Sequence, residues 1–141
     1  MRQRLTLRLF LMCLLSLLVS PADTIAQDTA AAETAATEWL AHVDAGRYAE
    51  SWTSAATAFK QAVTQEKWQD AAKSVRDRVG AWKARTKASA VSKLNPPGAP
   101  PGDYVVLQYS SVFERLPTAT ETVTAVRDAD GTWRIVGYFV H

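Results

Sequence analysis

Hydrophobic residues in the first half of the chain recur every three or four positions, which is the period of one face of an α-helix. Residues 27–30 precede this pattern and are predicted to form a short polar leader. The spacing then predicts three helices, over residues 31–45 with Gly46 as the stop, from Arg47 through Phe59, and from an N-cap at Thr64 to a stop at Gly80.

The second half alternates hydrophobic and polar residues, as β-strands do. Residues 82–94 permit a helix or a strand, and we favour a strand over 87–93. The proline-rich segment 95–102 predicts a stiff connecting loop. Strands are then predicted over 103–113, 118–127 and 132–140, with a hairpin turn at Asp128–Gly131.

Helices followed by strands indicate an α+β domain. We expect about three N-terminal helices packed on one face of a four-stranded, curved antiparallel sheet. On helix spacing, Trp39, Trp52 and Trp68 are predicted core residues.

The first 26 residues have the layout of a secretory signal peptide. Arg2, Arg4 and Arg8 precede an apolar run of 11 residues, which is shorter than the ~20 that a membrane span requires. Small residues then predict cleavage after Ala26, with cleavage after Ala22 as the alternative. We therefore expect a periplasmic or secreted protein without a transmembrane span in its mature form.

Removing 26 of the 141 residues leaves 115, the length of a single domain over 27–141. The sequence has one cysteine, Cys13, which lies among leucines within the apolar run and is interpreted as part of the export segment. The mature chain would then contain no cysteine, which excludes disulfides and cysteine metal sites.

Basic residues are concentrated between residues 60 and 93, where nine Lys and Arg face three acidic residues. A solvated helix face explains this stretch, and electrostatic association with a membrane surface is the alternative. Nucleic acid is not an expected partner, because the mature chain has almost no net charge.

Several motifs resemble a family of small exported bacterial proteins known as domain-of-unknown-function family 4019. They are WLAHVDAGRYAESW at 39–52, QEKW at 65–68, PPGDYVVL at 100–107, ETVT at 121–124 and DGTWRIVGY at 130–138. The family often has a serine where this chain has Ala84, so any role of that hydroxyl is absent here. This resemblance implies no assigned activity. The chain also distantly resembles the cone-shaped nuclear transport factor two fold, which hosts enzymes and non-catalytic modules.

Strand alternation predicts that Glu121, Arg134 and Tyr138 share one face of the sheet. A carboxylate, a guanidinium and a phenol could act as base, anion clamp and acid, but an ordinary set of cross-strand pairs explains them without any substrate and is the favoured interpretation. Gly137 predicts a bulge or a close backbone approach in the last strand.

Trp82 and Arg85 complete the candidate ligand-binding residues, because Trp82 follows the Gly80 stop and has no place on a helix stripe. No metal site or cofactor is predicted, since His42 and His141 are the two histidines and no serine-nucleophile or phosphate-loop motif is present.

The leading hypothesis is a non-catalytic envelope domain that binds an unknown partner or small ligand. A small hydrolase or isomerase using Glu121, Tyr138 and Arg134 is the first alternative, and membrane-surface association through residues 60–93 is the second. The sequence does not define an oligomeric state.

Overall fold

The structure is a computed structural model that describes residues 20–141. The predictions about Cys13 and the apolar export run lie outside the described residues. Within them, four helices precede four strands: α1 Pro21–Asp44, α2 Tyr48–Ser54, α3 Thr57–Ala62, α4 Gln65–Val79, β1 Trp82–Leu94, β2 Asp103–Phe113, β3 Ala119–Arg127 and β4 Trp133–Val140.

The strands form one antiparallel sheet in the order β1-β2-β3-β4, which confirms the predicted α+β class. The main core lies between the helices and one face of this sheet. Trp39 and Trp68 are buried there, as predicted, and Trp52 is half-buried against them. The ring centroids of Trp39 and Trp68 lie 5.5 Å apart, with the two rings tilted by 38°.

Helix α1 begins ten residues before the predicted start, so the expected polar leader over 27–30 is wrong. Pro21 occupies the first turn, where its missing N–H breaks no helical hydrogen bond. Residues 20–27 are exposed, and the buried stripe of α1 begins at Ala32 and continues to Val43.

The predicted second helix is divided into α2 and α3 at Ala55–Ala56. The backbone N–H of Ala56 donates to the carbonyl of Ile135 in β4, at 2.8 Å, instead of to its own helix. Both alanines are fully buried. The chain therefore leaves the helix in order to pair with the sheet, a contact that helical periodicity cannot report.

The predicted ends of α4 are confirmed. The Thr64 hydroxyl accepts a hydrogen bond from the backbone of Lys67 at 3.3 Å, as an N-cap does. Gly80 ends the helix at φ 81° and ψ −167°, a region that glycine alone occupies readily. A Cβ at this position would lie 2.8 Å from the Cβ of Glu114.

Strand β1 confirms the choice of a strand for residues 87–93 and begins earlier, at Trp82. The following loop is closed by Asn95 and Gly102, whose backbone atoms pair at 2.9 Å while the Asn95 side chain accepts from the Gly102 N–H at 2.8 Å. The proline-rich segment is thus a connection between β1 and β2, as predicted.

A bulge in β4 reverses the predicted alternation of the residues before it, Trp133 to Ile135. Thr124 lies opposite Gly137, but Ala125 lies opposite Ile135, so Val136 is an extra residue. Tyr138 shares the helix-facing side with Glu121, whereas Arg134 lies opposite Val126 on the other side. The prediction that Arg134 shares a face with Glu121 and Tyr138 is therefore wrong. Gly137 predicted a bulge or a close backbone approach, and a bulge lies beside it.

Candidate functional site

Four charged side chains meet at one end of the helix–sheet interface, and we call them the charge cluster: Asp44, Arg76, Arg85 and Glu121. They come from α1, α4, β1 and β3, respectively. Their side chains are 15%, 9%, 11% and 0% exposed. Two acids face two bases, so the buried charge is balanced within the cluster.

Arg85 connects the two carboxylates. Its Nε and Nη2 donate to Glu121 Oε1 and Oε2 at 2.7 and 3.0 Å. Its Nη1 and Nη2 donate to Asp44 Oδ2 and Oδ1 at 2.8 and 3.1 Å. Burial favours the neutral form of Arg85, but these two carboxylates outweigh it and raise the pKa of Arg85. Such two-point pairing fixes the angle of the guanidinium plane.

Arg76 forms the second connection. Its Nη2 lies 2.9 Å from Asp44 Oδ1 and 3.8 Å from Glu121 Oε2. The same Nη2 donates to the Tyr138 hydroxyl at 3.0 Å. Its guanidinium carbon also lies 4.9 Å from the centre of the Phe113 ring, which is a cation–π distance. Arg76 thereby attaches α4 to α1 and to the sheet.

Glu121 has no accepting position left over. Oε1 accepts from Arg85 and from the Ser111 hydroxyl, the latter at 2.5 Å, and Oε2 accepts from Arg85 and from the Tyr138 hydroxyl, also at 2.5 Å. A carboxylate offers about four such positions. Burial raises the pKa of Glu121, but hydrogen bonds from Arg85, Ser111 and Tyr138 outweigh it and hold that pKa below its ordinary value. Glu121 is therefore ionised and fully bonded.

Tyr138 keeps its proton. Burial raises the pKa of its hydroxyl, and the negative charge of Glu121 raises it further. The hydroxyl accepts from Arg76 and donates to Glu121, so both of its roles are occupied. A proton-transfer pair needs a group that can give or take a proton at the substrate. Glu121 and Tyr138 are instead committed to each other and to the arginines.

Arg134 does not join the charge cluster. Its guanidinium pairs with Asp128 Oδ2 at 3.0 Å and with Asp130 Oδ2 at 2.8 Å, at the β3–β4 hairpin. Two other arginines contact the predicted pair instead: Arg85 donates to Glu121, and Arg76 donates to Tyr138. Of the five predicted ligand-binding residues, the structure brings Glu121, Tyr138 and Arg85 into direct contact, with Trp82 adjacent.

Sequence reasoning missed Asp44, Arg76 and Ser111. A signal for Arg76 was present, because it lies four residues after Ala72 on the buried stripe of α4. A charged residue on an apolar stripe needs a buried partner. Asp44 and Ser111 carried no comparable signal, since Asp44 ends a helix and Ser111 alternates normally within β2.

A cleft of about 390 Å³ opens beside the charge cluster, and we call it the Trp82 cleft. Trp82 is 41% exposed, and the guanidinium carbon of Arg85 lies 5.1 Å from the centre of its ring. Neither Glu121 nor Tyr138 lines this cleft. Its walls come from the end of α1, the end of α4, the start of β1 and the residues after β2; they include Asp44, Gly46, Tyr48, Arg76, Asp77, Gly80, Trp82, Glu114 and Arg115.

The basic stretch over residues 60–93 is distributed over several surfaces. Arg76 and Arg85 are buried in the charge cluster, Lys73 pairs with Asp77, and Lys87 pairs with Glu33. No helix within residues 20–141 combines the length and hydropathy needed to cross a bilayer. In the same range, no three His, Cys, Asp or Glu side chains converge as metal ligands would.

Residues 35–138 match the model of a family described as "Protein of unknown function (DUF4019)". The chain belongs to this family. The matched range includes every residue of the charge cluster and Trp82, so the cluster and its cleft lie within the DUF4019 domain. No curated protein and no solved structure matches the chain significantly. The resemblance to the nuclear transport factor two fold is not confirmed and stays a prediction.

Proposed function

We propose that this DUF4019 protein is an exported, non-catalytic binding domain of the bacterial envelope and that the Trp82 cleft holds a small ligand. The observation that carries the proposal is the position of Trp82. A large aromatic ring that is 41% exposed at the wall of a 390 Å³ cleft offers a flat apolar surface beside hydrogen-bonding groups.

The Arg85 guanidinium supports Trp82 in this role. Because it stacks 5.1 Å from the ring centre and is held by two carboxylates, it restrains the ring before any ligand arrives. A restrained ring loses little conformational entropy on binding. The charge cluster thus acts as the support of the binding surface.

The lining of the cleft favours a polar ligand with little net charge. Asp44, Asp77 and Glu114 contribute carboxylates, while Arg76 and Arg115 contribute guanidinium groups. These opposite charges nearly cancel, so a strongly anionic or cationic ligand gains little attraction. A small molecule with one flat apolar face and several hydroxyl or amide groups fits this chemistry.

The bonding of Glu121 supports a non-catalytic role. All four of its accepting positions are filled, and it is fully buried outside the cleft. A general base must reach the proton that it removes. The hydrolase or isomerase that would use Glu121 as its base gains no support from this geometry.

Export is supported by the N-terminal sequence and by the exposure of the first turns of α1. Cleavage after Ala26, or after Ala22, would remove exposed residues and leave the buried stripe from Ala32 onward in place. The ion pair between Asp28 and Arg127 would also remain. The mature domain would keep its core.

Ligand binding is tested with protein recovered under native conditions from the periplasm of the expressing cells. We expect native mass spectrometry to show an additional bound mass that is lost in Trp82→Ala and retained in the control Leu94→Ala, another exposed hydrophobic residue outside the cleft. An additional mass that both variants retain, or a ligand-free wild type whose Trp82 indole NMR signal is unmoved by periplasmic extract, would contradict the proposal.

Export is tested separately by cell fractionation and the intact mass of the recovered protein. We expect a periplasmic or secreted chain that begins at Gln27, or at Asp23 if cleavage follows Ala22. A cytoplasmic chain with an intact N-terminus would overturn the localisation and leave the ligand test unaffected.

A further inference from the structure

The Trp82 cleft combines an open aromatic surface with hydrogen-bonding groups. Trp82 is 41% exposed, and Tyr48 adds a second, half-buried aromatic side chain to the lining. The Arg85 guanidinium lies over the Trp82 ring but does not line the cleft. The exposed part of the indole is therefore open to a ligand from the side of the cleft.

Arg76 brings unused hydrogen-bond donors to the wall of the cleft. Among the described residues, its contacts with Asp44, Tyr138 and Glu121 are all made through Nη2. Its Nε has no hydrogen-bond partner in residues 20–141. A guanidinium carries five N–H donors, so this group retains donors for an accepting oxygen of a ligand.

The rim of the cleft places an acceptor beside a donor. The Glu114 carboxylate accepts from the backbone N–H of Ala81 through Oε2, at 3.3 Å, and a carboxylate offers about four accepting positions. The neighbouring Arg115 is anchored by donating to the backbone carbonyls of Arg78 and Asp77. A ligand group that both donates and accepts matches this rim, and a hydroxyl is such a group.

A pyranose sugar combines the properties that this lining selects. Its hydroxyl groups project from the edge of the ring, and each can donate one hydrogen bond and accept two. The C–H groups on the faces of the ring form an apolar surface that stacks on an aromatic side chain. A neutral sugar also suits the near balance of opposite charges in the cleft.

We propose that the ligand of the Trp82 cleft is a neutral saccharide, with one pyranose ring stacked on Trp82 and its hydroxyl groups bonded to Glu114 and Arg76. This inference rests on the proposed binding function and names the chemical class of its ligand. The cleft of about 390 Å³ is within the usual range for a small-molecule site. Glycans are abundant in the bacterial envelope, where the N-terminal sequence predicts that the protein resides.

Saturation-transfer NMR of the protein recovered from the periplasm and dialysed tests the saccharide class. The probes are cellobiose and N,N′-diacetylchitobiose, two neutral disaccharides built from pyranose rings. We expect saturation to pass from the protein to the C–H protons of a disaccharide. Sorbitol has the hydroxyl groups without the ring, and adenine has a flat face without hydroxyl groups. Both are control probes that should bind more weakly than the disaccharide.

Two variants locate the bound sugar. Trp82→Ala removes the stacking surface and should raise the dissociation constant of the disaccharide by about tenfold or more. Glu114→Ala removes an acceptor at the rim and should raise it by about tenfold. The matched controls are Leu94→Ala and Glu66→Ala, which change an exposed hydrophobic residue and an exposed carboxylate outside the cleft. They should bind like the wild type, and circular dichroism establishes that each variant is folded.

The native bound mass separates this inference from the proposed function. Its fragmentation into sugar residues would support the saccharide class, and its size would distinguish a free sugar from a piece of a glycan. If neither disaccharide receives saturation and the native mass contains no sugar, the saccharide class is overturned. A native mass that is lost in Trp82→Ala would still support binding in the cleft.

Two further results would overturn the saccharide class. One is adenine or sorbitol binding as tightly as the disaccharides, because either a flat face or hydroxyl groups alone would then suffice. The other is a pair of folded Trp82→Ala and Glu114→Ala variants that bind a disaccharide like the wild type.

Discussion

The two faces of the sheet differ in where their charged residues lie. The helix-facing side holds Arg85 and Glu121, which are buried, while the outer face, the side of the sheet away from the helices, has no charged residue in the four paired rows from Ala84–Val112 to Val91–Gly137. A sheet with one solvated face ordinarily places its polar residues outside and its apolar residues inside.

The difference shows that charged side chains need hydrogen-bonded partners where they are buried, whereas residues on the exposed side do not. Each buried charge is matched by a partner at hydrogen-bond distance, as the desolvation cost of an unpaired ion demands. The outer face has no such constraint and yet lacks the charges that keep an exposed sheet soluble. Its rows are mostly Ser, Thr and Gln, which water can solvate, whereas the charges of the charge cluster are solvated by one another.

The largest expected effect is at Glu121. Glu121→Gln keeps the size of the side chain but leaves Arg76 and Arg85 without half of their negative partners. Breaking a buried ion pair in this way typically costs about 3–5 kcal/mol, and we expect a loss of that order in the free energy of unfolding, measured by urea denaturation. Asp130→Asn, at the exposed pair with Arg134, is the control and should change stability little. Equal effects of the two variants would show that burial is not what makes the cluster important.

A smaller loss is expected from Gly80→Ala, at the point where α4 leads into β1 and so sets the spacing of Arg76 and Arg85. The positive φ and the 2.8 Å approach to Glu114 predict a cost of about 1–3 kcal/mol in unfolding free energy. Gly46→Ala is the matched control, since its φ is also positive but nothing lies within 4 Å of an added Cβ. Thermal or urea unfolding that ranks Gly46→Ala as the more damaging variant would contradict this account.

Stability should also depend on acid through Glu121. The folded state holds the pKa of Glu121 below its ordinary value of about 4.5, so this contribution is fully present above that pH and is lost as the pH falls toward the lowered value. We expect unfolding free energy to decrease below about pH 4.5 in the wild type and to decrease less steeply in Glu121→Gln. Parallel pH profiles for the two proteins would show that another carboxylate is responsible.

The smallest effect is expected on the outer face. Val112→Thr changes an exposed side chain that has no helix above it, so dilute protein should retain its unfolding free energy within about 0.5 kcal/mol. The measurement is urea denaturation of dilute protein. A loss comparable to that of Gly80→Ala would mean that the outer face contributes to the fold of the single chain.

Much of the architecture could be predicted from local patterns. Thr64 and Gly80 marked the ends of α4 because capping and positive φ depend on the identity of single residues. The alternation in β2 and the Asp128–Gly131 turn likewise predicted the antiparallel order of the last three strands. The division between α2 and α3 could not be predicted from helical spacing. It follows from the hydrogen bond between Ala56 and Ile135, which are far apart in the chain.

The candidate site was predicted less completely. Glu121 and Tyr138 were correctly placed on one face, but Arg134 was not, because a single extra residue at Val136 inverts everything before it in β4. Gly137 indicated a bulge or a close backbone approach, without indicating which residue a bulge would displace. Asp44 and Arg76 lie on helices, and periodicity alone does not say which strand a helix will cover.

The sequence by itself determined the family, the α+β class, the order of helices and strands, and the N-terminal layout that predicts export. These depend on residue type and on spacing within short segments, which the chain displays directly. The tertiary structure decided which charges meet, that Glu121 is saturated, that Trp82 borders a cleft, and that one face of the sheet is left uncovered. Each of these depends on strand register and on the packing of distant elements, where a shift of one residue moves a side chain to the opposite face.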